Sequence, residues 1–279
     1  MQRHQPRCAI VLSVPTSLVP ESGIEVLDQA SGLRRMLQRP CVRVLPVIGS
    51  DGARWVATML SEALVRLGER VLLIEQGSAT DRQQPVESSP THSLDDLLGD
   101  RCEYADAVVV ARSGVQCAYL RDHHGGLGKQ RLTAGKWLGA FAHAPEPADL
   151  ALIHFSHPAA VARFMESEGE ILLTTGSNAA SIRAAYLNIK RTCARSHRYR
   201  VVVVGEGGAS SAAIVHSRIS GTALRFLGIA PDYAGEVPAP HHDAKTENTE
   251  TTMHAFAQLA SRTLGWRLAE FPALRGTRS

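Results

Sequence analysis

Short apolar runs alternate with segments of helical periodicity along most of this chain. A continuous apolar run of about four to eight residues is typical of a strand buried on both faces, and apolar residues three and four positions apart indicate an amphipathic helix. Strands that alternate with helices predict an α/β fold with a single doubly wound, mainly parallel sheet. The clearest predicted strands are residues 42–48, 71–74, 150–155, 171–175 and 201–204.

Helices are predicted before, between and after these strands. An N-terminal helix is expected at residues 24–38, where apolar residues recur at helical spacing before a proline ends the segment. A further strand is expected within 108–119 and a short one at 235–238, whereas the polar segments 77–92 and 238–252 are predicted loops. The other predicted helices are residues 94–98, 159–168, 181–196, 210–226 and 254–268.

The composition fits one large α/β domain. Of the 279 residues, 44% are hydrophobic and 5% aromatic, which suits an aliphatic sheet covered by helices. We predict an N-terminal arm with its helix at residues 1–40, an α/β domain at 41–270 and a short tail at 271–279. The five cysteines form no CxxC pair, as in reduced cytosolic proteins, and no apolar run approaches the roughly 20 residues of a membrane span. A cytoplasmic protein is therefore expected.

One stretch has the form of a phosphate-binding unit without its phosphate-binding side chains. The strand at 42–48 leads into a turn with Gly49 and Gly52, an amphipathic helix follows, and a second strand comes after it. This unit places backbone N–H groups and a helix N-terminus under a phosphate. Ala53 and Arg54 stand where lysine and serine or threonine would contact phosphate and Mg²⁺. The scaffold is therefore predicted, but the chemistry of its loop is missing.

Four segments carry a resemblance to one family. Residues 28–34 match a DQAxxLR helix, 93–99 match TLxDVLxG, 170–190 match LVTTPEPTSITDAYALIK, and 226–238 match FLGVxLDYLGxIP. In this order they resemble the MinD/ParA superfamily of ATPases, whose deviant Walker A loop carries a second, signature lysine, and within it the FlhG-like regulators of flagellar number and placement. The resemblance implies a P-loop NTPase-like domain of MinD/ParA type with an N-terminal helical extension.

The family's phosphate loop has lost its functional side chains in this sequence. The resemblance puts the signature lysine at Ile48, the phosphate-loop lysine at Ala53 and the Mg²⁺-binding threonine or serine at Arg54. Gly49 and Gly52 keep their family identity. The loop is therefore expected to keep its backbone shape and to lack the side chains that hold a nucleotide.

The acidic positions of the family's site are also depleted. The resemblance places the carboxylate that ends the second strand at Glu75, the aspartate that follows it at Gly77 and the Walker B aspartate at His154. A charge-assisted hydrogen bond contributes roughly 1.5–3 kcal/mol. Losing three such bonds therefore weakens binding by about 4–5 kcal/mol, or roughly a thousandfold. We predict a pseudo-ATPase with no bound cofactor, in a family that binds ATP and Mg²⁺.

An active switch is the alternative. It needs Arg54 to replace both the lysine and the metal, because a guanidinium binds phosphate bidentately. Such a chain would be an ATP-dependent MinD/ParA-type switch with a rewired nucleotide site that forms a homodimer at the membrane. The favoured hypothesis is that Arg54 fills the space of Mg²⁺ and fixes one conformation, so that the protein is not an enzyme.

The N-terminal helix carries the best-preserved functional feature. In FlhG-like proteins this helix engages and stimulates the partner GTPase FlhF, a relative of signal-recognition-particle GTPases. The resemblance implies the same role for Asp28, Gln29, Ala30, Leu33 and Arg34, because polar groups inserted near a partner's nucleotide help to orient water. The simpler alternative is an amphipathic helix packed on its own core. Flagellar basal-body components are further candidate partners.

Other candidate sites are weaker. The glycine-rich segments 125–129 and 205–208 lack the spacing of a nucleotide loop, and the histidines near 154–157 and 241–243 lack further ligands at metal-site spacing. The final helix has few cations on its polar face, so weak or no membrane contact is expected. The net charge of +3 gives no reason to expect specific nucleic-acid binding. The expected location is the cytoplasm, with peripheral contact at the inner membrane or cell pole as the alternative.

Overall fold

The described strands form a single β-sheet. The computed structural model describes residues 41–50, 52–77, 90–121, 141, 147–165, 168–193, 197–205, 208–240 and 247–272. The strands in these ranges are β1 (Cys41–Gly49), β2 (Val71–Gly77), β3 (Val108–Val110), β4 (Gln116–Arg121), β5 (Leu150–His154), β6 (Gly169–Thr175), β7 (His197–Val204), β8 (Asp232–Val237) and β9 (Ala269–Pro272). Their order is β3-β4-β2-β5-β1-β6-β7-β8, and β9 pairs with β1 off this path.

Helices cover both faces of this sheet. Those in the described ranges are α1 (Ala53–Arg66), α2 (Leu94–Leu98), α3 (Tyr104–Ala107), α4 (Pro158–Phe164), α5 (Ala179–Thr192), α6 (Gly208–Leu227) and α7 (Glu247–Leu264). Among these helices, none is long and apolar enough to cross a membrane.

Two hydrophobic cores follow from the alternation of side chains along the strands. In β1, Leu45 and Val47 pack into the core beneath α1 and α7. Val44 and Ile48 point the other way, into the core that α2, α4, α5 and α6 share. Successive residues of a strand face opposite sides of a sheet, so an apolar run such as β1 is buried on both. The predicted doubly wound, mainly parallel α/β fold is confirmed.

Three local elements differ from the prediction. The single strand expected within 108–119 is an antiparallel pair, β3 and β4, with Gly114 at a positive φ of 85° between them. Helix α7 begins at Glu247 rather than at 254; residues 250–254 are mostly exposed, and the first part of the helix has no apolar period that would predict it. The antiparallel strand β9 was not predicted, since four residues are too few to show a pattern.

Residues 93–99, with the sequence SLDDLLG, form helix α2 and its N-terminal cap. Ser93 and Asp96 form a capping box at α2, in which the buried Asp96 carboxylate accepts bonds from the Ser93 amide at 3.0 Å and hydroxyl at 2.8 Å. Arg101 and Arg121 add ion pairs at 2.9 and 2.7 Å. The Ser93 amide, together with these partners, holds the pKa of Asp96 well below its usual range. This family-like segment therefore has a structural role here.

A buried carboxylate lies at the beginning of β6, near the amino-terminal end of the parallel strands. Glu170 of β6 is 1% exposed and pairs with Arg200 of β7, whose Nη2 lies 3.0 Å from Glu170 Oε1. The same oxygen accepts a bond from the Arg267 amide at 3.2 Å. The Arg200 guanidinium also lies 5.4 Å from the centre of the Trp266 ring. Glu170 thus joins two central strands to the segment that precedes β9.

Candidate functional site

Three neighbouring parallel strands end at one edge of the sheet. Strand β5 lies between β2 and β1, in a register that places His154 beside both Glu75 and Val47. Residues in register on parallel strands point to the same face, and Val47 packs beneath α1. Glu75 and His154 therefore face the start of α1. Open α/β folds place their ligands at this carboxyl edge of the strands.

The turn between β1 and α1 is tight against neighbouring strands. A Cβ added at Gly49 would overlap Thr174 of β6. Gly52 has a left-handed φ of 61°, and a Cβ there would lie 3.3 Å from Val204 Cγ1. Helix α1 then begins with no side-chain cap bond and no acidic residue in its first turn. The described residues of this turn thus include two glycines in tight positions and a helix N-terminus that is directed at the edge of the sheet, as in a phosphate loop.

Arg54 occupies this edge by pairing with Glu75. Its Nε and Nη2 donate to Glu75 Oε2 at 3.1 and 2.8 Å. The two side chains are 30% and 14% exposed, respectively, so the pair is largely shielded from water. Within the described residues, Glu75 Oε1 is buried with no hydrogen-bond partner. The Glu75 carboxylate is therefore engaged by a cation from the chain itself.

His154 is a neutral imidazole in this setting. Its Nδ1 is buried and finds no hydrogen-bond partner among the described residues. Burial, and next the positive charge of Arg54, lower the pKa of His154 to about 4. The ring is consequently uncharged near neutral pH, where an aspartate at this position would carry a negative charge. Mg²⁺ prefers oxygen ligands, and His154 offers none.

Apolar side chains stand at both lysine positions. Ala53 is 6% exposed and Ile48 is 1% exposed. Ile48 belongs to the core on the face opposite α1, so it does not join the cluster of Arg54, Glu75 and His154. Both positions are therefore part of the packed interior. No cationic side chain at these two positions is available to meet a triphosphate.

The residues present do not fit Mg²⁺-ATP. A metal-nucleotide site needs a hydroxyl and carboxylates for the metal and lysines for the phosphates, and the chain supplies an arginine, one paired carboxylate and a neutral histidine. Within the described ranges, no group of three or more His, Cys, Asp or Glu residues could hold a metal ion. The arrangement has the form of an internal ion pair at a former ligand edge.

The structure gathers most of the residues predicted for the degenerate loop. Gly49, Gly52, Ala53, Arg54, Glu75 and His154 meet at this edge, whereas Ile48 faces away. The predicted partner-activating residues, Asp28, Gln29, Ala30, Leu33 and Arg34, lie outside the described residues, as do segments 125–129 and 241–243. His157 precedes the first residue of α4.

Two residues at this edge of the sheet were not predicted from the sequence. Thr174, fully buried on β6, is the residue against which Gly49 packs. Gln76 has a buried Oε1 with no partner in the described part of the chain, while its backbone oxygen accepts a bond from Ser156 Oγ at 2.6 Å. A signal existed in both cases, because each is a polar residue at the end of an apolar strand.

Acid is expected to destabilise the protein through His154. The folded-state pKa of about 4 lies below the unfolded value of about 6.5, so between these values the unfolded state takes up a proton that the folded state refuses. The contribution of neutral His154 to the free energy of unfolding is then fully present above pH ~6.5, and up to about 3 kcal/mol of it is lost as the pH drops to ~4. Urea unfolding of wild type and His154→Gln across this window measures the difference. Equal pH dependence in both proteins would contradict the buried neutral histidine.

Comparison with known proteins gives one sequence relative to set beside this geometry. The antiactivator FleN of Pseudomonas aeruginosa is 23% identical to the chain over 253 residues. The match covers 83% of this chain and 89% of FleN. No protein-family model matches the chain.

Solved structures share the fold described above. A chain of the MinC:MinD cell division protein complex of Aquifex aeolicus matches with a TM-score of 0.57 at 16% identity, covering 84% of this chain and 99% of that one. MinD alone from Aquifex aeolicus gives 0.55 at 19% identity, covering 84% and 100%. MinD of Pyrococcus furiosus gives 0.53 at 14% identity, covering 80% and 98%. At these identities the likeness establishes the fold.

Proposed function

We propose that this chain, an FlhG-like protein of the MinD/ParA fold, is a regulator of flagellar biosynthesis, number and placement that acts as a pseudo-ATPase. The observation that carries the proposal is the ion pair between Arg54 and Glu75, which stands where metal and phosphate would be held. The likeness to an antiactivator supports a regulatory role. The protein would act in the cytoplasm, with basal-body components and the cell pole as candidate contacts.

The Arg54–Glu75 pair would be an internal bridge at the place where a nucleotide switch binds its ligand. In a nucleotide switch, the γ-phosphate and Mg²⁺ hold one conformation, which is released on hydrolysis. Here the bridge runs from the first turn of α1 to the end of β2 and consists of two side chains of the chain itself. Such a bridge is part of the chain, so it cannot be hydrolysed or released as a nucleotide is. The domain would therefore keep one conformation whatever the nucleotide level.

Calorimetric titration with Mg²⁺-ATP and Mg²⁺-ADP tests the pseudo-ATPase. The three missing charge-assisted contacts weaken affinity by roughly a thousandfold, so no heat of binding is expected at micromolar protein. In a thermal unfolding scan, millimolar nucleotide should raise the midpoint by at most about 1–2 °C, because a ligand present near its dissociation constant adds only about 0.4 kcal/mol. Saturable micromolar binding would overturn the proposal.

Removing Arg54 is expected to destabilise the fold with or without nucleotide. Arg54→Ala leaves the shielded Glu75 carboxylate without the donors it now has, which costs about 1–3 kcal/mol in the free energy of unfolding. Arg66→Ala is the matched control, because Arg66 lies on the same helix in a more exposed pair with Glu62 at 3.4 Å; its loss should cost at most about 0.5 kcal/mol. Urea unfolding of both variants measures this. Equal losses would show that the Arg54 pair has no special role.

The same variant separates the alternative function, an ATP-dependent dimerising membrane switch with a rewired site. The retained glycine turn and uncapped start of α1 favour this alternative. It requires Arg54 to bind phosphate, so wild type would dimerise on addition of ATP and Arg54→Ala would not. The pseudo-ATPase predicts no ATP-dependent dimerisation in either protein.

Partner control is proposed to come from the N-terminal helix. Residues 28–34 would bind an FlhF-type GTPase and stimulate it, with Asp28, Gln29 and Arg34 presented to the partner's nucleotide. The support is the sequence match alone, since these residues lie outside the described structure. A peptide of residues 20–40 should raise the GTPase rate of purified FlhF. Its control is the same peptide with Asp28→Ala and Gln29→Ala. An unchanged rate with both peptides counts against the role.

A further inference from the structure

The outer face of α6 carries a row of exposed residues at helix-packing spacing. Ile214 and Leu224 are each 55% exposed, and Ser217 and Gly221 between them are also exposed. The steps of three, four and three residues place these four side chains in one line along the helix. Large aliphatic residues thus stand at both ends of the row, and small residues stand in the middle.

Gly221 has no packing reason within the described part of the chain. A Cβ placed there would meet no heavy atom within 4 Å. Glycine inside a helix is unfavourable relative to alanine, and Gly221 has no positive φ that would require it. A glycine on the outside of a long helix allows another backbone or side chain to approach closely. The row therefore has the shape of a surface for a second helix.

The row is complementary to itself when reversed. Its midpoint is Ile219, whose own side chain is fully buried. If two copies of α6 lie antiparallel about this midpoint, Ile214 faces Leu224 of the partner subunit, and Ser217 faces Gly221 of the partner subunit. Two-fold interfaces require this kind of self-complementarity. We propose that the outer face of α6 is a homodimer interface, in which two copies of this chain pack antiparallel and need no nucleotide.

Charge and area set the strength of this dimer. Helix α6 has no acidic residue, and the antiparallel arrangement brings Arg218 close to Arg218 of the partner subunit at the rim. This single repulsion is exposed and screened by salt. Two helices also bury less than the roughly 800 Å² per partner of a standard interface. A weak dimer is therefore expected, whose population rises with protein concentration and whose dissociation constant falls as salt is added.

Sedimentation of the full chain without nucleotide tests the interface. Wild type should show a concentration-dependent dimer, and Leu224→Glu or Gly221→Met should raise its dissociation constant by about tenfold or more. Gly221→Ala should raise the thermal midpoint, as a better helix former, and yet weaken the dimer. Met253→Glu, at a 38% exposed residue of α7, is the control and should leave dimerisation unchanged. A monomer at all concentrations, or a dimer insensitive to Leu224→Glu, overturns the proposal.

A charge exchange at the rim tests the antiparallel geometry itself. Mixing wild type with Arg218→Glu replaces the like-charge contact by an opposite-charge pair, so the mixed dimer should form roughly fivefold more tightly than either homodimer at low salt. Docking of a different, acidic helix on this face is the other outcome. In that case Arg218→Glu would give no mixed dimer, and the homodimer proposal fails. The pseudo-ATPase proposal is unaffected by either result.

Discussion

Replacing Glu170 by alanine is expected to lower the free energy of unfolding by about 3–5 kcal/mol, the largest effect of any single charge removal discussed. The carboxylate is 1% exposed and accepts bonds from the Arg200 guanidinium and the Arg267 amide. Its loss leaves a shielded guanidinium without its buried partner. The remaining ion pair of Arg200, with Asp232 at 3.0 Å, joins a residue that is 56% exposed and compensates little. Urea or thermal unfolding measures the change.

Two further variants separate charge from packing at Glu170. Glu170→Gln keeps the shape and one acceptor oxygen, so it should lose less than alanine if the Arg267 amide bond matters. Glu62→Ala removes a carboxylate from the more exposed pair with Arg66 and should cost at most about 0.5 kcal/mol. A loss of under about 1 kcal/mol in Glu170→Ala would mean that the buried pair is not a significant source of stability.

Restoring the nucleotide side chains is expected to restore binding. The triple variant Ala53→Lys, Arg54→Thr, His154→Asp returns a phosphate ligand, a metal hydroxyl and a carboxylate, and it frees Glu75 from its ion pair. At roughly 1.5 kcal/mol or more per contact, Mg²⁺-ATP affinity should rise by about a thousandfold over wild type. Two features that favour this are already present, since Gly52 has a left-handed φ and α1 has no side-chain cap bond.

The double variant Ala53→Lys, Arg54→Thr is the control for the metal. It keeps the neutral His154, so its Mg²⁺-ATP affinity should lie between that of wild type and that of the triple variant. Circular dichroism must first show that each protein is folded, because Ala53 is nearly buried and a lysine there has to extend to the edge. A folded triple variant with wild-type affinity would show that the loop has lost more than side chains.

Much of the fold could be predicted because the strands are buried on both faces. Continuous apolar runs such as those of β1 and β7 predict strands of a parallel sheet. Elements whose stability comes from elsewhere could not be predicted well. Strand β9 is specified by its pairing with β1, and the start of α7 lies among polar residues. Neither element therefore shows hydrophobic periodicity in the sequence.

The candidate site was predictable in membership but not in contacts. The family resemblance predicted that Arg54, Glu75 and His154 belong to one site, and the parallel strands bring them to one edge of the sheet. The pairing of Arg54 with Glu75 depends on a side-chain direction that spacing does not give. The close approach of Thr174 to Gly49 depends on the register between β1 and β6, which is a tertiary property.

Gly49 and Gly52 are held by the fold whether or not a nucleotide binds. A methyl group at Gly49 would collide with Thr174, and one at Gly52 would press on Val204 from a backbone that favours glycine. The glycines of a phosphate loop can therefore outlast its chemistry, since the contacting side chains are replaceable one at a time while the glycines are not. A glycine pattern after a buried strand is evidence for the turn alone. The residues immediately after the last glycine, Ala53 and Arg54 here, are the ones that report on the ligand.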